Sequence, residues 1–516
     1  MKTAMRNRKL LAAACFAGAL LSWGLACAQG PARGFWNAPD ADAAHNNAQK
    51  AETDITTETV AKDFKFLWKL KLGKESAKSS SFSEPLLFPG LITGRGFKDL
   101  ALLGDANTLY AVDSELGELV WQKDFKFSSA PKACGNIQIV TEPPQVIHFG
   151  ARKPATPKPA STPPPPPPSE EPLPRDQRRV GVAAGGGYFG LRGVYAVTSD
   201  GYIHEQIMAN GHDYAPPVKF FLAPNGSSFG LNINDKVVYT FAGSGCRNVA
   251  NAVSSIDLNT PDYTVSSYKA EKRSIGGFTG PAIGRDGTVY VDTGSVLALD
   301  AKDLKVKDSY APAAPGKAPN AGPVVFTYKE KELIAALVGD GTLVLLDTAS
   351  LGGADHHTAL AQTEKLSKGA KRGAWESLAS WQDKSGASWV FASISGPAEP
   401  AVKFAAANGP APHGSIVAFK VEEKDGKMSL TPAWISRDLI NPAPPAIANG
   451  VVFALEAGGA HATLYALDAA TGKQLYSSGD AIGTSTRLAG MSIGDGHVFF
   501  TTHDNTLYSF GIPLEH

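Results

Sequence analysis

The chain has 516 residues, among them 53 Gly and 36 Pro, and its 49 basic residues balance its 49 acidic ones. With a pI near 7.2, it has no overall field to gather nucleic acid or acidic lipid, so charge does not favour partners of those kinds. Its 43% hydrophobic and 19% charged residues exclude a disordered or fibrous chain and suit one large, turn-rich folded domain.

In chain order, MKTAMRNRK is basic, LLAAACFAGALLSWGLACA is apolar and rich in small residues, and Ala26-Cys27-Ala28 has the A-x-A form. Residues 1–28 therefore read as a signal peptide cleaved after Ala28, which implies a periplasmic or secreted protein. Cys27 keeps a lipoprotein reading open, against which Gly24 stands where a lipobox has Leu. No later stretch is long and apolar enough to span a bilayer. Cys134 and Cys246 remain in the mature chain. They can pair as one disulfide in an oxidising compartment or stay as two small buried hydrophobes.

Residues 29–63 read as an extended N-terminal segment and 64–513 as the folded domain. Within it, FKFLWKLKL (64–72) reads as a strand carrying Trp68. A short β module then recurs to the C-terminus, in DANTLYAVDSELGELVW (105–121), TLYALDAATGKQLY (463–476) and DNTLYSF (504–510), with weaker copies between. Asp257, Asp300 and Asp347 are spaced by 43 and 47 residues. A period in the forties with alternating apolar residues means four short strands per unit. Turns such as Asp200-Gly201, Asp340-Gly341 and Asp504-Asn505 separate the strands as antiparallel hairpins.

Strand pairs near residues 99, 194, 237, 288, 333, 389, 451 and 498 count eight units. The chain is expected to be an all-β, eight-bladed β-propeller, with seven blades as the nearest competitor. The last unit ends at Gly511-Ile512-Pro513 after its third strand, so the strand at 64–72 is expected to complete that blade and close the ring. Residues 153–174 are Pro-rich and read as a solvated insertion.

Ala111-x-Asp113-x-x-x-Gly117-x-x-x-Trp121 has the pattern of the tryptophan-docking motif, and Ala466, Asp468, Gly472 and Tyr476 repeat it with Tyr in place of Trp. In this the chain resembles the propeller repeats of pyrroloquinoline quinone (PQQ) dehydrogenases. It is also similar to the propeller lipoprotein of outer-membrane assembly, which the family describes as a scaffold without quinone. The first resemblance implies PQQ with a calcium or lanthanide ion in the central funnel. The adjacent cysteine pair of those dehydrogenases is absent, and the sequence does not place their metal-binding Glu and Asn or their catalytic Asp on matching positions.

Basic residues recur before the innermost strands, at Lys78, Lys132, Arg273, Lys317, Arg372, Arg437 and Arg487. Converging on the funnel, Arg273, Arg372, Arg437 and Arg487 would hold an anion such as the three carboxylates of PQQ. Otherwise they are solvated connector residues. Trp375 is placed to stack a planar ligand and Glu376 to bind metal or act as a base; alternatively Trp375 packs between blades and Glu376 pairs with Arg372. His356-His357 reads as exposed polar loop. GGGYFG at 185–190 lacks the following helix that a dinucleotide site needs.

Two functions remain open: a non-catalytic binding propeller of the cell envelope, whose partner is an envelope protein or a small anionic ligand, and a PQQ-dependent dehydrogenase using Ca²⁺. The missing cysteine pair and unmatched catalytic positions favour the first.

Overall fold

The computed structural model describes residues 34–73, 82–94, 96–126, 136–143, 193–220, 226–244, 250–270, 274–313, 321–338, 341–367, 378–486 and 490–513. By its contacts the chain divides into residues 29–142 with 192–516, described below, and residues 1–28 with 143–191. The signal peptide, the Pro-rich insertion, GGGYFG, Cys134 and Cys246 lie outside the described residues.

Among the described residues eight sheets follow one another along the chain, each with four antiparallel strands, and those of blades 6 and 7 carry a fifth, parallel strand. Blade 1 runs from its innermost strand Leu86–Thr93 through Gly96–Gly104 and Thr108–Asp113 to its outermost, Glu118–Asp124. The innermost strands of blades 2 to 8 are Gln138–Thr141, Gly226–Asn234, Ala282–Ile283, Val324–Tyr328, Leu378–Gln382, Ala446–Ala448 and Ser492–Gly494. From blade 2 round to blade 1, the innermost strands of successive blades touch; the gap between blades 1 and 2 is bridged by the second strand of blade 1. The result is a closed eight-bladed propeller.

The strands form where the sequence alternates, and the turns where an Asp follows. In blade 1, Asp113 Oδ1 accepts the amides of Glu115 and Leu116, both at 3.1 Å. Asp468 in blade 7 repeats this with Ala470 and Thr471. The carboxylate satisfies amides that the tight turn would otherwise leave unpaired.

The tryptophans join blades. Trp68 donates from Nε1 to Ser114 O at 3.2 Å, Trp121 to Met208 O at 2.9 Å and Trp434 to Ala469 O at 2.9 Å. Each ring lies on a glycine of the following blade: a Cβ added to Gly117, Gly211 or Gly472 would stand 2.5 Å from it. These glycines have φ of 67°, 72° and 71°, so the position needs both the left-handed backbone and the missing side chain.

The ring closes as the repeat implied. The strand Lys65–Lys71 pairs with Thr506–Gly511, from Lys65 opposite Gly511 to Lys71 opposite Thr506. It is the outermost strand of blade 8, and Trp68 docks on blade 1, so the two chain ends lock together. Before it comes a short helix, Thr57–Asp63, opened by a capping box between Thr56 and Thr59.

Candidate functional site

Residues 34–52 occupy the axis of the ring. Trp36 and Leu87 of blade 1 exchange backbone hydrogen bonds at 3.1 and 2.9 Å. Asn37 O accepts the Thr141 amide of blade 2 at 2.9 Å, Ala43 O that of Ile283 in blade 4 at 2.7 Å, and Ala44 O that of Val325 in blade 5 at 2.9 Å. Asn46 O accepts from Ser380 of blade 6 at 2.9 Å and Asn47 O from Ile447 of blade 7 at 2.8 Å. Asn232 Nδ2 of blade 3 donates to Ala43 O at 2.8 Å, and Gln49 Nε2 donates to Ile493 O of blade 8 at 3.0 Å. A segment bonded in turn to the innermost strand of every blade can lie only on the ring axis.

Its composition explains how it fits. Ala38, Ala41 and Ala48 are small enough for the backbone to approach the inner strands, and the side chains of Asn37, Asp42, Asn47 and Gln49 hydrogen-bond to backbone. Asp40, Ala41, His45 and Asn47 have φ of 60°, 83°, 59° and 52°. Such angles cost free energy for residues with a Cβ, about 1–3 kcal/mol each at the upper end, and persist because the surroundings fix the path.

The axis is acidic. Glu84, which precedes the innermost strand of blade 1, accepts Trp36 Nε1 at 2.6 Å and the Asp40 amide at 3.0 Å. Burial, then the neighbouring Asp40, hold its carboxyl well above the usual range. Asp42 is half-buried, its side chain 33% exposed; desolvation works against its charge, but Lys50 at 2.8 Å and Asn46 outweigh that cost and keep its carboxyl low. Burial holds His45 below the usual imidazole range despite Asp40 and Asp42. Glu52 accepts the Asp54 amide at 2.8 Å and, from blade 8, the Gly496 amide at 3.1 Å.

These described residues do not fit a planar tricarboxylate quinone. Backbone whose polar groups are engaged with the blades lies on the axis, and the carboxyl groups of Asp40, Asp42, Glu52 and Glu84 outnumber Lys50 there, the reverse of what a tricarboxylate needs.

Of the cationic candidates, Arg437 is described. It follows the outermost core strand of blade 6, Lys427–Ile435, and engages the outer strands of blade 7. Its Nη1 donates to Gln474 Oε1 at 2.6 Å, and its guanidinium carbon stands 4.5 Å from the centre of the Tyr465 ring. It lines a cleft of about 440 Å³ between the outer parts of blades 6 and 7, with Asn408, Asp438, Lys473 and Gln474. His413 Nδ1 lies 2.7 Å from Asp438 Oδ2; although burial opposes it, this bond keeps the Asp438 carboxyl low. Arg273, Arg372, Trp375, Glu376 and Arg487 lie outside the described residues, as do Lys78, Lys132 and Lys317.

His356 and His357 are exposed and bound separately, Nδ1 of the first 3.1 Å from Ser309 O and Nδ1 of the second 2.7 Å from Ala311 O. Asp99, Glu115 and Asp495 bring carboxylate oxygens within 4.8 Å of one another. Each of the three has a further partner, so the cluster is not a set of vacant ligands.

Sequence reasoning left the axial segment without a role. Its run Asp40-Ala-Asp-Ala-Ala-His-Asn-Asn-Ala-Gln49 has neither strand nor helix period, so pattern alone reads it as coil. Its density of small and amide side chains directly before a ring-closing strand was the available signal.

No family model matches the chain, and no curated protein matches it in sequence. Solved structures do. Quinohemoprotein alcohol dehydrogenase from Comamonas testosteroni is similar with a TM-score of 0.54 at 14% identity, over 93% of this chain and 81% of that one. A europium-containing methanol dehydrogenase is similar with a TM-score of 0.52 at 11% identity, over 94% and 98%. BamB from Moraxella catarrhalis gives 0.43 at 11% identity, over 88% and 99%. The chain thus has a propeller fold similar to that of the two dehydrogenases, and at these identities the likeness is one of fold.

Proposed function

We propose that this protein is a non-catalytic ligand- or protein-binding propeller of the cell envelope. The observation that supports this reading above any other is the axial segment: residues 34–52 lie on the ring axis with bonds to all eight blades, which leaves less of the central funnel for a cofactor. Fold likeness to dehydrogenases does not count against it, because chemistry resides in the site and not in the fold. The cleft between blades 6 and 7, with Arg437 and Lys473 on its walls beside the Asp438 carboxylate, is the surface site this reading assigns to a small anion.

The test is a titration of the mature protein with PQQ and Ca²⁺, followed by dye-reduction assays with a panel of alcohols and sugars. The expected result is no saturable absorbance change and no substrate-dependent reduction. Stoichiometric PQQ binding with turnover would overturn the reading in favour of the dehydrogenase.

A further inference from the structure

Blade 6 devotes more chain to one loop than the blades on either side of it. Its second and third strands, Ser388–Ser395 and Gly414–Lys424, are joined by residues 396–413. The same two strands end and begin at Val338 and Thr342 in blade 5, and at Glu456 and Thr463 in blade 7. Loops longer than about 12–15 residues are uncommon in compact domains, and the ordered ones carry function. This loop lays Ala406–Ala407 in parallel against Trp434 and Ile435 on the outer edge of the blade. It then continues as Asn408, Gly409 and Pro410 into the wall of the cleft with blade 7, whose volume is about 440 Å³.

Ala406–Ala407 is the edge of its sheet, and both residues are exposed. Asn408 donates its amide to Ile435 O at 3.2 Å, so by the alternation of a strand the N–H and C=O of Ala407 face away from the blade. No strand pairs with that side among the described residues. A segment added there in parallel runs toward Asn408 and brings its C-terminal end to the cleft, whereas an antiparallel one brings its N-terminal end.

The charges in the cleft choose between these ends. Arg437 and Lys473 line it, and neither has an ion-pair partner among the described residues. Arg437 is held in place by Gln474 Oε1 and the Tyr465 ring, which leaves most of its rigid fork of N–H groups for an oxyanion. Asp438, the carboxylate in the same wall, is engaged by His413 through the amide at 2.8 Å and Nδ1 at 2.7 Å. Asn408 Nδ2 is likewise engaged, with Ile435 O and Thr471 O at 2.9 and 3.2 Å. Two cations without partners attract a terminal carboxylate and repel a terminal ammonium.

We propose that the cleft takes the C-terminal carboxylate of a partner polypeptide, whose last residues add as a parallel strand to Ala406–Ala407. This rests on the reading of the cleft as an anion site. Pairing with an open sheet edge supplies backbone hydrogen bonds without regard to sequence, and capture of the terminal carboxylate fixes where the added strand ends.

The experiment probes two arrays of randomised hexapeptides, tethered at their N-termini, with the full mature chain. One array carries free C-terminal carboxylates and the other C-terminal amides. Retention on the free-acid array alone is expected. The retained peptides should bind at least tenfold more weakly to the Arg437→Gln, Lys473→Gln double variant, and to Ala407→Pro, which removes the outward N–H. Equal retention on both arrays, retention on neither, or peptide affinity unchanged in these variants overturns the proposal. If Ala407→Pro does not fold, the arrays and the double variant decide. Calorimetry with succinate separates this proposal from the reading beneath it. Succinate binding that needs Arg437 and Lys473, without a free-acid preference on the arrays, defeats the peptide and keeps the anion cleft; binding of neither succinate nor peptide defeats both.

Discussion

Gly472 and Trp434 illustrate what single residues do in this ring. An Ala at 472 would place its Cβ 2.5 Å from the Trp434 ring at a φ of 71°. An Ala at Gly386, with φ of 85°, would meet nothing within 4 Å. Gly386→Ala is expected to cost about 1 kcal/mol through backbone strain alone, and Gly472→Ala about 2–4 kcal/mol because the ring must also move. Thermal denaturation of the two variants checks the order; equal shifts would show that Trp docking adds little. His497 supplies a pH-dependent counterpart. It is 3% exposed, and burial, opposed by Asp99 and Asp54, pushes its imidazole down to about 4. A histidine lowered on folding takes up its proton in the unfolded chain first, so stability falls as pH drops from about 6.5 to about 4, by about 3 kcal/mol in all. His497→Gln should lessen the slope of stability between those limits, with His45 and His204 supplying part of what remains. On the surface, Arg437→Gln combined with Lys473→Gln should weaken binding of a small di- or tricarboxylate at least tenfold by calorimetry, with the thermal midpoint unchanged. Unchanged affinity would remove the cleft as the anion site. The Asp113, Gly117 and Trp121 motif was legible because its turn is local. What it does not reveal is that each tryptophan serves the glycine of the next blade, which only ring order brings together.

At the scale of elements, one continuous N-terminal stretch does two jobs. Residues 34–52 fill the axis, the helix Thr57–Asp63 packs beside the outermost strand of blade 7, Gln474–Ser477, and Lys65–Lys71 completes blade 8. Deleting residues 29–72 should leave the strand Thr506–Gly511 as an open edge and strip the inner strands of their axial acceptors. The expected product aggregates; a soluble, equally stable monomer in size-exclusion chromatography would refute closure by this stretch. The closing strand could be foreseen because it repeats Trp68 in the place of Trp121. The axial segment was harder to foresee, because most of its bonds are made by backbone carbonyls, which carry no residue signature, and only its density of small and amide side chains marked it. Blade 6 differs in a way the repeat did not foretell: Ala406–Ala407 pairs in parallel with Trp434 and Ile435, adding a fifth strand that borders the Arg437 cleft.

For the whole molecule, eight repeats of one module were enough to define the architecture, because each hairpin carries its own alternation and turn residues and only their number decides how the ring closes. The functional site was less legible. Basic residues recurring before most of the innermost strands suggest convergence on the axis, yet Arg437 engages the outer strands of the next blade, through Gln474 and Tyr465. The centre is held by the chain's own carbonyls and acids. The most direct measurement of this account is hydrogen exchange at neutral pH at the amides of Thr141, Ile283, Val325, Ser380 and Ile447, which donate to axial carbonyls from five different blades. The account expects protection within about tenfold of the central strands, since these amides can exchange only when the segment leaves or the ring opens. Exchange at the rate of free peptide would mean that the axis is open to solvent and to ligands, and would contradict it.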